Sequence, residues 1–554
     1  MTSKLVNNSQ LVFLMVKINH SLIYLKHKFI NGGRIATLFS ETCFLMITLS
    51  RLKQLFTHSF IAVSTLTLIG CAQPLSTVKT ETYSNVDNFN TTLHQKVLPY
   101  TQANPNKTAF YPLGDGQAAL LARLAIIESA QKTVDVQYYI YRDDATSNLL
   151  TWYLYQAAER GVRVRLLLDD MQNRDDQALA NLSAHPNVEV RLFNTFGNRS
   201  FKPLGFVTDF DRLNRRMHNK SIIADGVFAI TGGRNIGDEY FSANDNVEFG
   251  DFDLLMMGKI IPQVSRQFDE YWNSKPATPI EALVTEAHLP TADQLQQWKK
   301  AQKQYLKSDY ARSLKQHPLA KKLSNQTLPF YWADAELIYD TPYKVKNSQD
   351  DLLLHHLSAM INKAKTDFLL ISPYFVPTEV GVKELVKAAK RGLNITIVTN
   401  SLASNDVFAV HGWYAKYRKE MLENGIKLYE IKIDPKIKKK HSWLGSSRSS
   451  LHAKTFIIDH RKVFVGSFNF DPRSAYLNTE LGVIVDSKPF SDIFYADLDH
   501  LLEKSAYRLS LDKHNDIVWT DDTNGKQFHS EPDSGTMLKM GAWLAGTLPI
   551  EKHL

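Results

Sequence analysis

Cysteine is nearly absent. The 554-residue chain has two, Cys43 and Cys71, and none beyond residue 71. Everything downstream therefore has no disulfide framework, iron–sulfur cluster or cysteine-ligated zinc site. No stretch beyond residue 71 has the long uncharged apolar run that a membrane-spanning helix needs. An HExxH motif and a carboxylate–histidine cluster of metal-ligand spacing are also missing, so neither a metal nor another cofactor is expected. Disorder is excluded by a composition of 44% hydrophobic and 22% charged residues. Length alone allows two to four domains. With a net charge of +8 and a pI near 9.0, the balance favours an anionic partner: a phospholipid surface, a phosphodiester or a nucleic acid.

A targeting signal is present near the start. In "LSRLKQLFTHSFIAVSTLTLIGCAQP" (49–74), Arg51 and Lys53 precede an apolar run too short to span a bilayer. The run ends on "LIGC", which resembles a bacterial lipobox and implies cleavage before Cys71 and lipidation of it. Gln73, where an Asp would signal retention, points by the same analogy to the outer membrane. Residues 1–45 read as an over-extended start before Met46, 46–70 as the signal, and 71–105 as a polar tether. The expected location is the bacterial envelope, on the periplasmic face of a membrane.

The rest of the chain uses one pattern twice. "VDVQYYIYRDD", a helical run ending "QAAERG" and "VRVRLLLDD" in the first half correspond to "FLLISPYFVP", "KAAKRG" and "LNITIVTN" in the second. Gly161 and Gly392, which stop the two helices, are 231 residues apart, and His218 and His452 are 234 apart. Two landmarks at nearly one offset indicate a tandem duplication. The strand–helix alternation predicts an α/β fold with helices on a largely parallel sheet, made mixed by added hairpins. The expected division is domain 1 at 106–275, a helical connector at 276–335, domain 2 at 336–505 and a C-terminal tail at 506–554. The basic loop 431–450, with Trp443, reads as solvated or as a contact for anionic headgroups.

The second shared landmark carries chemistry. "HNKSIIADGVFAITGGRN" (218–235) and "HAKTFIIDHRKVFVGSFN" (452–469) each read as a hairpin. A two- or four-residue turn at Asp225–Gly226 sets odd-numbered residues opposite His218 and Lys220, grouping Gly233 and Asn235 with them. The same reasoning groups His452, Lys454, Ser467 and Asn469. Imidazole, ammonium and amide on one face suit a phosphate. Displacement at a phosphodiester through a covalent intermediate needs a nucleophile and a general acid, and two histidines supply both. Lys220, Lys454, Asn235 and Asn469 would then neutralise the non-bridging oxygens. A carboxylate should orient each imidazole. Aligning "GDFDLLMMG" (250–258) with "LNTELGVIV" (477–485) offers Asp253 and Glu480 for this. Asp225 and Asp459, at the turns, read as structural.

These residues resemble the HxKx4Dx6GSxN signature of the phospholipase D superfamily. His452, Lys454, Asp459, Gly466, Ser467 and Asn469 match in full; in the first copy His218, Lys220, Asp225, Gly232 and Asn235 match, with Gly233 in place of Ser. The resemblance covers most of 106–554. It implies tandem duplicated α/β/α sandwich domains with a mixed sheet, related by a pseudo-two-fold axis and sharing one active site. It also implies a phosphohistidine intermediate, usually on the N-terminal histidine. "GGRNIGDEYF", "NSLASNDVFAVHGWYAKYR", "GSFNFDPRSAYLNTELGVIVDS" and "GTLPIEKHL" are similar to bacterial cardiolipin synthases of the C type. That similarity implies transfer of a phosphatidyl group, with phosphatidylethanolamine as donor, to phosphatidylglycerol at a membrane surface. The alternatives are hydrolysis to phosphatidic acid, a nuclease, and a non-catalytic lipid-binding scaffold; no nucleic acid is expected as partner.

Overall fold

Residues 79–84, 90–172, 174–244, 248–284, 286–346, 352–433, 449–496 and 498–554 are described by a computed structural model. Cys71, the apolar run before it, and Trp443 with residues 434–448 of the basic loop lie outside the described residues.

The first half contributes β1 (Thr108–Leu113), β2 (Thr133–Tyr138), β3 (Arg163–Asp169), β4 (Val188–Phe193), β5 (Ser221–Ala224), β6 (Phe228–Gly232), β7 (Glu248–Gly250), β8 (Asp253–Gly258) and β9 (Ala277–Pro279). The second contributes β10 (Tyr331–Tyr339), β11 (Asp367–Ile371), β12 (Asn394–Asn400), β13 (Lys427–Ile431), β14 (Ser449–Leu451), β15 (Thr455–Ile458), β16 (Lys462–Gly466), β17 (Leu481–Asp486) and β18 (Ala506–Leu511). In space the first half runs β1-β8-β6-β5-β2-β3-β4-β9. The second runs β10-β17-β16-β15-β11-β12-β13-β18, the same order. β1 and β10 pair antiparallel, Thr108 opposite Ala333, and join the halves into one 18-stranded sheet. Only β2-β3-β4 and β11-β12-β13 are parallel within it, so the sheet is mixed, as expected.

Helices cross between the parallel strands because the strands are apolar on both faces and need cover. Helix Ala145–Glu159 begins with an Asp144–Ser147 capping box. It and helix Thr378–Lys390 stop at Gly161 (φ 87°) and Gly392 (φ 95°), left-handed positions that suit glycine. On their opposite faces the halves share a core that includes Leu167, Ile223 and Met256 from one side and Leu369, Val465 and Val483 from the other. This shared core presses the two motif hairpins together.

Three segments differ from the sequence expectation. The hairpin loops have three residues: Ala224 pairs with Phe228, and Ile458 with Lys462. Even-numbered residues therefore face even-numbered ones. His218, Lys220, Gly233 and Asn235 all lie just beyond the paired strands, where strand alternation no longer sets their direction. Next, part of the expected tether is docked: Arg165 donates to Thr82 O at 2.8 Å, Ser84 N donates to Asp269, and Thr92–Ala103 is a helix. Finally, the expected tail is folded. β18 pairs with β13 and continues into further strands Ile517–Asp521 and Lys526–Phe528. The connector holds helices Ala292–Tyr305, Asp309–Gln316 and Pro318–Ser324, the first started by a Thr291–Gln294 capping box.

Candidate active site

The strand preceding each motif histidine is delivered to the opposite half. Met217 bridges in parallel to Thr479, and Leu451 of β14 pairs in parallel with Gly250 of β7. His218 N donates to Thr479 O at 2.9 Å, and His452 N to Gly250 O at 2.7 Å. Each histidine is thereby set beside the residue after its partner, and that residue is an acid in both cases. His218 Nδ1 lies 2.9 Å from Glu480 Oε2, and His452 Nδ1 lies 2.5 Å from Asp251 Oδ2. Each imidazole thus takes its carboxylate from the other repeat, leaving Nε2 to face the site.

Asp253 does not do what the sequence alignment expected. It is fully buried and bound by Arg123 at 2.9 Å and by Arg234, whose N–H reaches Oδ1 at 3.1 Å. The ladder pairs Gly232 with Asp253 and Gly466 with Gly482, so Asp251, not Asp253, is the equivalent of Glu480. The alignment slipped by two residues. A two-residue slip keeps the side chain on the same strand face, so periodicity alone could not detect it.

The Ser/Gly mismatch has a steric reason. Ser467 Oγ accepts from Leu481 N at 3.0 Å and donates to Glu480. A β-carbon at Gly233 would fall 2.0 Å from Asp251 Oδ1. In the first half the shorter acid occupies the space that the serine takes in the second. Gly232 and Gly466 end β6 and β16 where a β-carbon would strike the neighbouring backbone, at 2.5 and 2.4 Å.

Lys220 and Lys454 are buried and donate to the carbonyls of His218 and His452. Burial pulls their ammonium groups down to about 7 and about 8, against the pull of Glu480 on the first and Asp251 on the second. Burial and the two lysines hold His218 well below its ordinary value. Burial and Lys454 bring His452 to about 4, opposed by Asp251. The two acids diverge. Burial lifts Glu480 to about 7, whereas for Asp251 the cost of burial is outweighed by His452, Lys454 and Arg234, leaving it well below the usual carboxylate range.

The asparagines are not equivalent. Asn235 Oδ1 accepts from Ile140 N at 3.1 Å, and its Nδ2 donates to Tyr240 Oη at 3.0 Å; the Tyr240 ring packs edge-on to His452. Asn469 Oδ1 is buried with no hydrogen-bond partner. Asp225 and Asp459 sit at left-handed turn positions, φ 52° and 54°. Their carboxylates accept from backbone N–H groups leading into β2 and β11 rather than from their own turns, away from the histidines.

Sequence reasoning missed Asp251 and also the residues that anchor the histidine segments. Asp169, ending β3, accepts from Met217 N at 2.8 Å and from Arg216; Asn400, ending β12, bonds Leu451 through both N–H and carbonyl. They are 231 residues apart, the spacing of Gly161 and Gly392, which was the available signal. The metal-capable group among the described residues is His411, Glu430 and Glu531. Arg418 already binds both of its carboxylates, at 3.0 and 2.6 Å, so it is an ion-pair network in the second half.

The family described as cardiolipin synthase, PLD-like domain, matches residues 124–272 and 357–502. The chain belongs to the phospholipase D superfamily. It is 40% identical to cardiolipin synthase C of Escherichia coli (strain K12) over 470 residues, covering 83% of this chain and 99% of that one. Cardiolipin synthase A of Proteus mirabilis is 23% identical over 70% of this chain and 67% of its own. Among solved structures, phosphatidylserine synthase of Haemophilus influenzae superposes with a TM-score of 0.52 at 11% identity, covering 83% of this chain and all of that one, a likeness of fold. Each phospholipase D match contains one histidine of the site and the carboxylate that serves the other, so neither half is complete alone.

Proposed function

We propose that this phospholipase D-type phosphatidyltransferase makes cardiolipin through a phosphohistidine on His218. The observation that carries the assignment of roles is the inequality of the two carboxylates. Asp251 is fully ionised beside His452 and can support an imidazolium, so His452 is suited to carry a proton. Burial, Lys220 and Lys454 keep His218 a neutral imidazole, the form that attacks phosphorus, while Glu480, shared with Ser467, orients it through Nδ1.

His218 Nε2 bonds to phosphorus while the bond to the leaving headgroup oxygen breaks, and His452 supplies that oxygen with a proton. His452 then takes the proton from the hydroxyl of an acceptor phosphatidylglycerol. The acceptor oxygen attacks the phosphohistidine and frees His218. A bound phosphodiester between Lys220 and Lys454 offsets their repulsion of His452 and raises its basicity against the larger effect of burial. The lysines neutralise the phosphoryl group as charge shifts, and Asn469 would help to orient it by donating through Nδ2.

The substrates are phosphatidylglycerol and a donor such as phosphatidylethanolamine, met at a membrane surface. No helix among the described residues is long and apolar enough to cross a membrane. Support for surface contact comes from exposed apolar side chains on two elements: Phe201 and Val207 in one, Met537 and Trp543 in the C-terminal helix Thr536–Thr547. Beyond that helix, the ring of His553 packs on Phe210 and Arg473 N donates to Leu554 O. Lipidation of Cys71 would hold the protein on the periplasmic face.

Mixed phosphatidylethanolamine/phosphatidylglycerol vesicles test this reading. Cardiolipin with released ethanolamine is the expected product. Phosphatidic acid alone would make the protein a hydrolase instead.

A further inference from the structure

The outer faces of the two halves are covered differently. In the first, helices Gly116–Ser129 and Ala145–Glu159 are roofed by the connector. Trp298 packs edge-on to Trp152 and Tyr155, Gln117 donates to Ser313 at 2.8 Å, and Leu314 and Leu319 are buried. The equivalent helices of the second half, Leu353–Asn362 and Thr378–Lys390, have no such roof among the described residues. An apolar groove of about 210 Å³ runs between them, lined by Leu354, Leu357, Val376, Gly381, Phe468 and Phe470. Val380, 72% exposed, stands on its rim.

One wall of this groove is the second motif itself. Phe468 and Phe470 line it and flank Asn469, the last residue of the second motif, whose Oδ1 is buried without a partner. The groove lies beside the helix start at Thr378, where the chain leaves the carboxyl end of β11, and β16 delivers Phe468 to that same end. His452 lies at this end too, since Thr455, three residues on, pairs with Ile371 at the carboxyl end of β11.

We propose that this groove binds one acyl chain of a phospholipid substrate, making the second half the side that reads the lipid tail. The proposal rests on the phosphatidyltransferase reading above. It explains why the connector roofs only one of two equivalent faces: the other must stay open for the chain.

Burying each methylene of a chain is worth about fourfold in affinity. Short-chain diacyl phosphatidylglycerols, kept below their micelle-forming concentration, should therefore show kcat/KM rising about fourfold per added methylene until the groove is full. Gly381→Phe is the matched variant. A β-carbon there meets Pro377 at 3.5 Å and Phe470 at 3.8 Å, ordinary contact, so the side chain extends into the groove without displacing the helix. Its chain-length dependence, measured relative to bis(4-nitrophenyl) phosphate, which has no acyl chain, should flatten to less than about twofold per methylene. Leu354→Trp, entering from the opposite wall, should do the same and guards against a folding defect in the first variant. A flat dependence in the parent enzyme, or an unchanged one in both folded variants, overturns the groove. Absence of any phosphatidyl product at every chain length, with the chain-free diester still cleaved, would overturn the functional reading and the groove with it.

Discussion

At position 233 a β-carbon would fall 2.0 Å from Asp251 Oδ1, whereas its counterpart Ser467 hydrogen-bonds the longer Glu480. The residue pairs Gly–Asp and Ser–Glu are therefore matched sets. Gly233→Ser alone should displace Asp251 from His452 and cost on the order of 10²-fold or more in kcat. Adding Asp251→Glu supplies the second half's pair and should recover part of the loss, which steady-state assays of the single and double variants would read. The buried lysines set the pH dependence. In the free enzyme Lys220 and Lys454 lose charge near pH 7 to 8, so kcat/KM should fall as pH rises through that window. A bound phosphate favours the charged amines, so the fall in kcat should come at higher pH. Coincident profiles for kcat and kcat/KM would contradict this.

Two acids on the adjoining segments leading into β8 divide structure from chemistry. Asp253, clamped by Arg123 and Arg234, ties helix Gly116–Ser129 to the end of the first motif. Asp253→Ala leaves two buried guanidinium groups without a carboxylate to balance their charge, so it should lower unfolding free energy by about 3–5 kcal/mol, read by denaturant titration. Asp251→Asn should lower kcat by on the order of 10²–10⁴-fold, since His452 loses the carboxylate that orients it. The sequence could place the hairpins, their histidines and the duplicated strand order, because those follow from apolar pattern, turn residues and repeat spacing. Side-chain pairing at the ends of β8 and β17 was not legible. Two positions on one strand face are equivalent to a period-two argument, and only the Gly232–Asp253 and Gly466–Gly482 register separates them. The loop length at Asp225 was misread for a related reason: Asp–Gly suits a two-residue turn, but Val227 joins the loop while Asp225 braces the entry to β2.

Across the whole molecule, the duplication is what makes the site. Each half brings a histidine and a lysine from its hairpin and lends its acid to the other half. The shared core formed by Leu167, Met256, Leu369 and Val483 holds the exchange in place. The halves have since diverged: Ser467 against Gly233, an unpartnered Asn469 Oδ1 against a committed Asn235, and, among the described residues, an unroofed outer face against a roofed one. The motif histidines and the repeat were visible in the sequence. The crossing of the carboxylates was not, because it depends on segments more than two hundred residues apart meeting in parallel at Met217–Thr479 and Leu451–Gly250. Both His218→Ala and His452→Ala should abolish turnover of phospholipid vesicles, but for different reasons. The most direct measurement is trapping by an alkaline denaturing quench, which preserves the P–N bond, with an activated phosphodiester whose leaving group needs no proton. In His452→Ala, peptide mapping should find the phosphoryl adduct on His218, and His218→Ala should carry none. An adduct on His452, or full turnover in either variant, would contradict a single site assembled from both halves with His218 as its nucleophile.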